Sequence, residues 1–413
     1  MTTTSDSSAK FGNTGPISRS KRLWLAAILG SLSAFGPLSL DMYLPALPQL
    51  AEDLNTTASY AQASLTACLV GLAAGQLLAG PISDMRGRRG PLLIGLILYA
   101  AASLLCVFAP SIITFLLLRF VQGLAGSAGI VISRAITRDL YSGPELTKFF
   151  SLLMLVNGAA PILAPIFGGQ LLEYMSWRGV FGVLSGLGGL MLLGALFGLK
   201  ETLPAQRRIE GGLKDLKTAF GTLLRDRTFM GYALTQGFVI GAMFAYISGS
   251  PFVIQDVFGV SPQGFSLIFA MNGLGIITAG QITGRIAGRV PEARLFAAGL
   301  AIAATGGALL LAAVLSGAGL PLVLATLFLV VSSVGIVSAS GFPLAMSRYG
   351  HAAGTASALL GLLSYILGGV LAPFVGIAGR YSAMPMAVVI ACAEACALLC
   401  YFLLVKRGRR ENS

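Results

Sequence analysis

Asp41 and Arg119 are the two residues whose types and surroundings could do chemistry in this chain. Asp41 stands within Pro37-Leu-Ser-Leu-Asp41-Met-Tyr-Leu-Pro45 and Arg119 within Leu118-Arg119-Phe120-Val121-Gln122-Gly123, both inside apolar stretches. A charge at the centre of a bilayer costs about 2.5–3.5 kcal/mol even on the mildest insertion scale, so it is seldom kept without a partner or a task. A carboxylate in such a place exists either neutral or ionised, which makes Asp41 a candidate proton carrier. Arg119 lies too deep in its stretch to reach the headgroups, so it is expected to face a cavity and tune that carboxylate. Glu394 is a second embedded acid without a motif, and a structural or copy-to-copy contact is expected of it.

The elements that must position these groups are membrane helices. Of 413 residues, 55% are hydrophobic and 11% charged, with a mean hydropathy of +0.83, which excludes an ordinary soluble domain and a disordered chain alike. A spanning helix needs about 20 apolar residues. Runs broken by Gly, Pro or charge give twelve, near 23–47, 58–82, 91–109, 112–137, 148–172, 178–199, 229–254, 264–284, 294–316, 319–343, 352–379 and 382–405. The fold class expected is therefore all-α: a tail over 1–22, a six-helix bundle over 23–199, a polar linker over 200–228, a second bundle over 229–405 and a tail over 406–413. The first run is too long for the apolar region of a cleaved signal, about 7–15 residues.

The net charge of +12 carries topology rather than nucleic-acid binding. Of the 28 Lys and Arg residues, 24 fall in alternate connections on one side, which places both termini in the cytoplasm. Only Arg178 and Arg380 fall in connections on the other side. Arg134, Arg138 and Asp139, near the cytoplasmic end of the fourth span, are accounted for by snorkelling and a local ion pair. Cys68, Cys106, Cys392, Cys396 and Cys400 all lie in apolar runs and read as small packing residues, and His351 as a solvated loop residue. The sequence has no GxxxxGK[ST], no HExxH and no Cys/His cluster, so neither nucleotide-driven transport nor metal chemistry has a basis, and no cofactor is expected.

Two internal matches suggest that the halves are parallel repeats about an axis normal to the membrane. Gly80-Pro-Ile-Ser-Asp84-Met-Arg-Gly87-Arg88-Arg89 aligns with Gly280-Gln-Ile-Thr-Gly284-Arg-Ile-Ala-Gly288-Arg289, and Leu163-Ala-Pro165 with Leu371-Ala-Pro373. The first segment reads as a tight cytoplasmic turn whose Asp84, Arg88 and Arg89 can pair or reach anions. Here the sequence resembles the major facilitator superfamily. That resemblance implies two six-helix bundles and a gate latch in which Asp84, Gly87 and Arg88, flanked by Arg89, hold the halves together in the outward-open state; Gly284 replaces the acid in the second copy.

The stretch around Arg119 looks like the superfamily motif whose embedded arginine is linked to proton transfer. Gly158, Pro161, Pro165, Gly168 and Gly169 in the fifth span would bend and tightly pack a helix, and they resemble the antiporter motif of the exporting branches. With Leu40-Asp41-Met-Tyr-Leu-Pro45, Trp177-Arg178 and Lys200-Glu-Thr-Leu-Pro204, the pattern is similar to the Bcr/CflA drug-resistance branch. What the resemblance implies is export of amphipathic small molecules in exchange for protons, by one chain working alone in a bacterial inner membrane among its lipids. Tyr43, Gln122, Asn157, Gln236, Tyr246, Asn272 and Tyr365 are the candidate cavity residues. Proton-coupled uptake on the same fold, and a sensor that transports nothing, are the alternatives.

Overall fold

The computed structural model describes residues 19–141, 143–208, 221–347, 349 and 353–406. The remainder of both tails, much of the linker and His351 lie outside the described residues. Hydrocarbon offers backbone groups no water, so an apolar chain must satisfy them within helices. Fourteen α-helices are described: α1 (Arg19–Ser33), α2 (Phe35–Asp41), α3 (Leu47–Asp53), α4 (Ala58–Arg86), α5 (Arg89–Val107), α6 (Ile112–Leu140) and α7 (Gly143–Leu171). They continue with α8 (Trp177–Gly198), α9 (Arg227–Phe252), α10 (Pro262–Ile286), α11 (Glu292–Leu315), α12 (Leu320–Met346), α13 (Ala353–Leu371) and α14 (Met384–Cys400).

Among the described residues, ten helices are long and apolar enough to cross a membrane. A pair bent by 43°, Trp24–Ser33 with Phe35–Asp53, makes an eleventh span, and Leu155–Leu171 of α7 is a shorter apolar stretch. Small polar caps set several starts. Thr57, Ser111, Asp226 and Ser261 each accept a bond from a free backbone N–H in the first turn of α4, α6, α9 and α10.

Glycine lets the helices approach closely. A side chain at Gly123 of α6 would collide with the Cys68 carbonyl of α4, and one at Gly335 of α12 with the Ile276 carbonyl of α10. The same close crossing thus joins the second and fourth spans of each half. Across the halves, α7 packs on α10 and α13 on α4. Large apolar side chains such as Leu117, Phe167, Phe197 and Leu267 point outward, where the lipid lies. Cys392 and Cys396 are also exposed, so they are not the packing residues expected, whereas Cys68 and Cys106 are buried.

Two expected boundaries shift. Residues 80–86 are not a turn: α4 runs through Pro81 to Arg86 and stops at Gly87, whose φ of +93° is left-handed. A membrane helix tolerates Gly and Pro because its environment still favours internal hydrogen bonding. The first span is not continuous either, breaking at Ala34 between α1 and α2.

Candidate functional site: a cavity between the halves

A cavity of about 560 Å³ lies between the two bundles, within the range for a drug-sized ligand. Asp41, at the C-terminus of α2, lines it, as do Asn157 of α7, Tyr246 of α9, Asn272 of α10 and Tyr365 of α13. Asn272 Nδ2 donates to Tyr246 Oη at 2.8 Å, and the Tyr246 ring stacks on Phe269 with centroids 5.6 Å apart. The Asp41 carboxyl has no hydrogen bond or ion pair to any described residue. It is 6% exposed, and that opening is onto the cavity.

Three expected cavity residues lie elsewhere, and so does Arg119. Arg119 is fully buried inside the N-terminal bundle. Its Nη2 donates to the Ser39 carbonyl of α2 at 2.8 Å and its Nη1 to Gln122 Oε1, while the Tyr43 ring sits 4.4 Å from the guanidinium carbon and Phe181 5.5 Å. Gln122 is consumed here, passing its amide to Ser103 Oγ at 2.7 Å, and Tyr43 Oη bonds Ser64 Oγ at 2.8 Å. Gln236 is buried outside the cavity lining, with its Oε1 unpartnered. The expectation that Arg119 faces the cavity is therefore corrected: a carbonyl, an amide and two ring faces offset part of its desolvation, while its Nε is buried without a partner. It reaches Asp41 through the backbone two residues away rather than by direct contact.

The five residues of the fifth span divide by position. Gly158 and Pro161 line the cavity. Gly168 abuts the Met42 carbonyl, just beyond Asp41, so closely that a Cβ would overlap it, and Gly169 lies against Ser266 of α10. Ser266 Oγ donates to the Pro165 carbonyl at 2.8 Å, and Gln263 Nε2 to the Gly169 carbonyl at 3.0 Å.

At the end of the bundle carrying the α4–α5 turn, Arg88 gathers a network. Its Nη1 donates to Asp84 Oδ1 at 2.5 Å and Ser83 Oγ at 2.9 Å, and its Nε to Asp139 Oδ2 at 3.0 Å. Burial works to lower the Arg88 guanidinium, but Asp139 and Asp84 outweigh it and hold the group above its ordinary value. Glu201 accepts the backbone N–H of Arg88 at 2.8 Å, of Arg89 at 3.1 Å, and of Thr202 and Leu203 at 3.0 Å each. Burial pushes that carboxyl up, yet the four N–H donors together bring it below the usual glutamate range. Gly87 is required where it is, because a Cβ would meet Glu201 Oε2 at 2.5 Å. Arg89 donates to the Leu196 carbonyl at 2.8 Å. All these contacts stay within the first bundle and the start of the linker, so the expected latch does not join the two bundles in this conformation. Asp139 pairs with Arg88, not with its neighbour Arg138.

The described hydrogen bonds and ion pairs between halves lie toward the opposite end. Thr66 Oγ1 donates to the Gly369 carbonyl at 2.9 Å, Ser59 Oγ to the Pro373 carbonyl at 3.1 Å and Gln255 Nε2 to the Pro45 carbonyl at 3.1 Å. Arg380 spans the seam: its Nε and Nη2 bind Asp256 at 2.9 and 3.1 Å, and its Nη1 binds Glu52 at 2.7 Å. Those two carboxylates hold Arg380 above its ordinary value. Sequence reasoning did not find this cluster, since Glu52, Asp256 and Arg380 sit in three separate connections. It also missed Arg134, which lines the cavity.

Comparison with known proteins agrees with this architecture. Residues 23–373 match the Major Facilitator Superfamily. The chain is 46% identical over 395 residues to the MFS-type transporter YdgK of Bacillus subtilis (strain 168), covering 95% of this chain and 98% of the relative. It is 32% identical over 385 residues to a bicyclomycin resistance protein homolog of Haemophilus influenzae, covering 93% and 96%. In fold it is similar to a bacterial homolog of the human lysosomal transporter Spinster, with a TM-score of 0.75 at 17% identity over 94% of this chain and 98% of that one. A helical multi-pass membrane protein of two six-helix bundles enclosing a central cavity, and no enzyme, the chain belongs to the Major Facilitator Superfamily of transporters, in its Bcr/CflA branch.

Proposed function

We propose that this transporter exports amphipathic small molecules by exchanging them for inward-moving protons. The observation that carries the reading is the Asp41 carboxyl: it opens on the cavity between the halves and has no partner of its own among the described residues. A proton and a substrate that compete for this one group, or for the conformation it favours, suffice to give exchange. The basic α4–α5 end faces the cytoplasm under the positive-inside rule, as do both termini, so the cross-half seam seals the outer face and the cavity loads from inside. Gly168 and Gly169 support that seal by letting α7 approach α2 and α10.

Arg119 acts as a positioning residue for Asp41, and Asp84, Gly87, Arg88 and Arg89 act at the inner gate. The proton gradient of a bacterial inner membrane is the sole energy source, and one chain is the working unit. The bicyclomycin resistance relative favours antibiotics or similar metabolites as cargo. The test is flux in proteoliposomes: outward drug movement that dissipates an imposed pH gradient, lost in Asp41→Asn, is expected. Substrate and proton moving in the same direction establishes uptake instead and overturns the reading.

A further inference from the structure

The two faces of the cavity differ in chemistry. Among the described residues, Asp41 and Arg134 are its only charged lining residues, and both belong to the N-terminal half. The described aromatic lining residues, Phe244, Tyr246, Phe269 and Tyr365, belong to the C-terminal half. Arg134 is exposed to the cavity and, like Asp41, has no hydrogen bond or ion pair to a described residue. Two opposite charges in one apolar chamber would ordinarily pair, but here the helix register keeps them apart. Arg119 of α6 bonds the Ser39 carbonyl two residues before Asp41, and Arg134 lies fifteen residues further along the same helix. At about 1.5 Å per residue, that is roughly 20 Å between the two backbones along α6, a gap that the Arg134 side chain shortens by leaning back toward the helix N-terminus.

We propose that the cavity is built for a zwitterionic aromatic amphiphile, with its anionic group on Arg134, its ammonium on Asp41 and its ring system against the aromatic wall. The inference rests on the export reading and specifies its cargo. An ammonium on Asp41 takes the place of the proton, which ties binding to exchange, while Arg134 would repel a simple lipophilic cation entering from the basic end. The other ionisable groups near Asp41 are Tyr246 on α9, Cys68 on α4 and the buried Arg119 on α6. None supplies it with a hydrogen bond. The stacked pair of Tyr246 and Phe269 offers a flat surface for the core of the ligand.

The probe is norfloxacin, whose carboxylate and distal ammonium lie at opposite ends of a rigid ring system, compared with its decarboxylated and its N-acetylated analogues. Binding is measured to the full chain in lipid nanodiscs, with chloramphenicol as a neutral reference. Wild type is expected to bind norfloxacin about tenfold or more tighter than either analogue, as charge-assisted contacts allow. Arg134→Gln erases the preference over the decarboxylated analogue and keeps that over the acetylated one; Asp41→Asn does the reverse; Arg134→Lys restores part of the first. A cooperative thermal melt verifies that each variant is folded. Equal binding of all three compounds to wild type, or an equal loss for all three in Arg134→Gln, overturns the proposal. If chloramphenicol exchanges for protons while norfloxacin does not bind, the cargo assignment fails and the export reading stands.

Discussion

The Arg119 guanidinium donates to the backbone carbonyl of Ser39 at 2.8 Å, two residues before Asp41. Ser39 is held a second time through its hydroxyl, 2.8 Å from Tyr99 Oη. The short helix that carries the acid is thereby fixed to α6 and α5, and its register depends on a side chain that never touches the carboxyl.

Arg119→Gln is expected to leave that carbonyl and Gln122 short of partners, a loss on the order of 1–3 kcal/mol. A melting temperature several degrees lower and transport near background follow. Arg119→Lys is expected to recover most of the melting temperature but little of the flux, because an ammonium cannot reproduce the fork that reaches both acceptors. Recovery of full transport in the lysine variant argues against the positioning role.

Asp41→Asn keeps the side-chain volume and removes the ionisation. The expected outcome is retained binding of an uncharged drug such as chloramphenicol, measured in nanodiscs, together with loss of pH-driven flux. Flux that still responds to an imposed pH gradient in this variant places coupling elsewhere.

Glu52→Gln weakens the Arg380 bridge across the seam between the halves. The Glu52 side of the pair is largely exposed, with 60% of its side chain accessible against 25% of Arg380, so the gain for the open state is on the order of 0.2–1 kcal/mol, a population change of up to about fivefold. Distances between spin labels on the α3–α4 and α13–α14 connections report it as a larger outward-open fraction. An unchanged distribution removes Arg380 from the gate.

Glu201 links stability to pH. Its folded carboxyl lies below the free-glutamate value of about 4.3, so its stabilising contribution is complete above that value and is lost as pH falls through the lower folded one. In melts between neutral and acidic pH, Glu201→Gln is expected to be less stable than wild type at pH 7, with the gap closing below about pH 4. A gap that is constant with pH contradicts the assignment of the four N–H contacts to the ionised form.

Gly168→Ala tests the contact between α7 and the end of α2. The added methyl overlaps the Met42 carbonyl, a rigid neighbour, so a cost of about 1–3 kcal/mol is expected in a melt, along with reduced transport. A neutral substitution shows that α7 stands off from this carbonyl in the working protein.

The spans were legible because hydrocarbon length and charge sorting leave a plain mark on composition, and Asp41 stood out as an acid among apolar neighbours. What the sequence could not reveal was direction around each helix axis. Arg134 looked like a snorkelling residue near a helix end, yet its azimuth turns it into the cavity. Tyr43 and Gln122 looked available to a ligand and are instead spent on Arg119 and its neighbours. The partner of Arg119 is a main-chain oxygen, which every residue type carries, so no pattern of side chains could announce it. Gly80 and Pro81 suggested a turn by rules learned in water, whereas a helix in lipid continues through them. The matched closeness of Gly123 to Cys68 and of Gly335 to Ile276 escaped segment alignment because each pair combines two distant points of the chain.

The break at Ala34 separates α1 from the seven residues of α2. A helix meets a thicker or thinner bilayer by tilting, and the break lets α1 and α2 take different angles, so a tilt of α1 is passed only in part to the acid, which α2 holds against α6 through Ser39. Exchange rates are accordingly expected to vary little with the acyl-chain length of the host lipid, an insulation that a coupling carboxylate on an unbroken rod would lack.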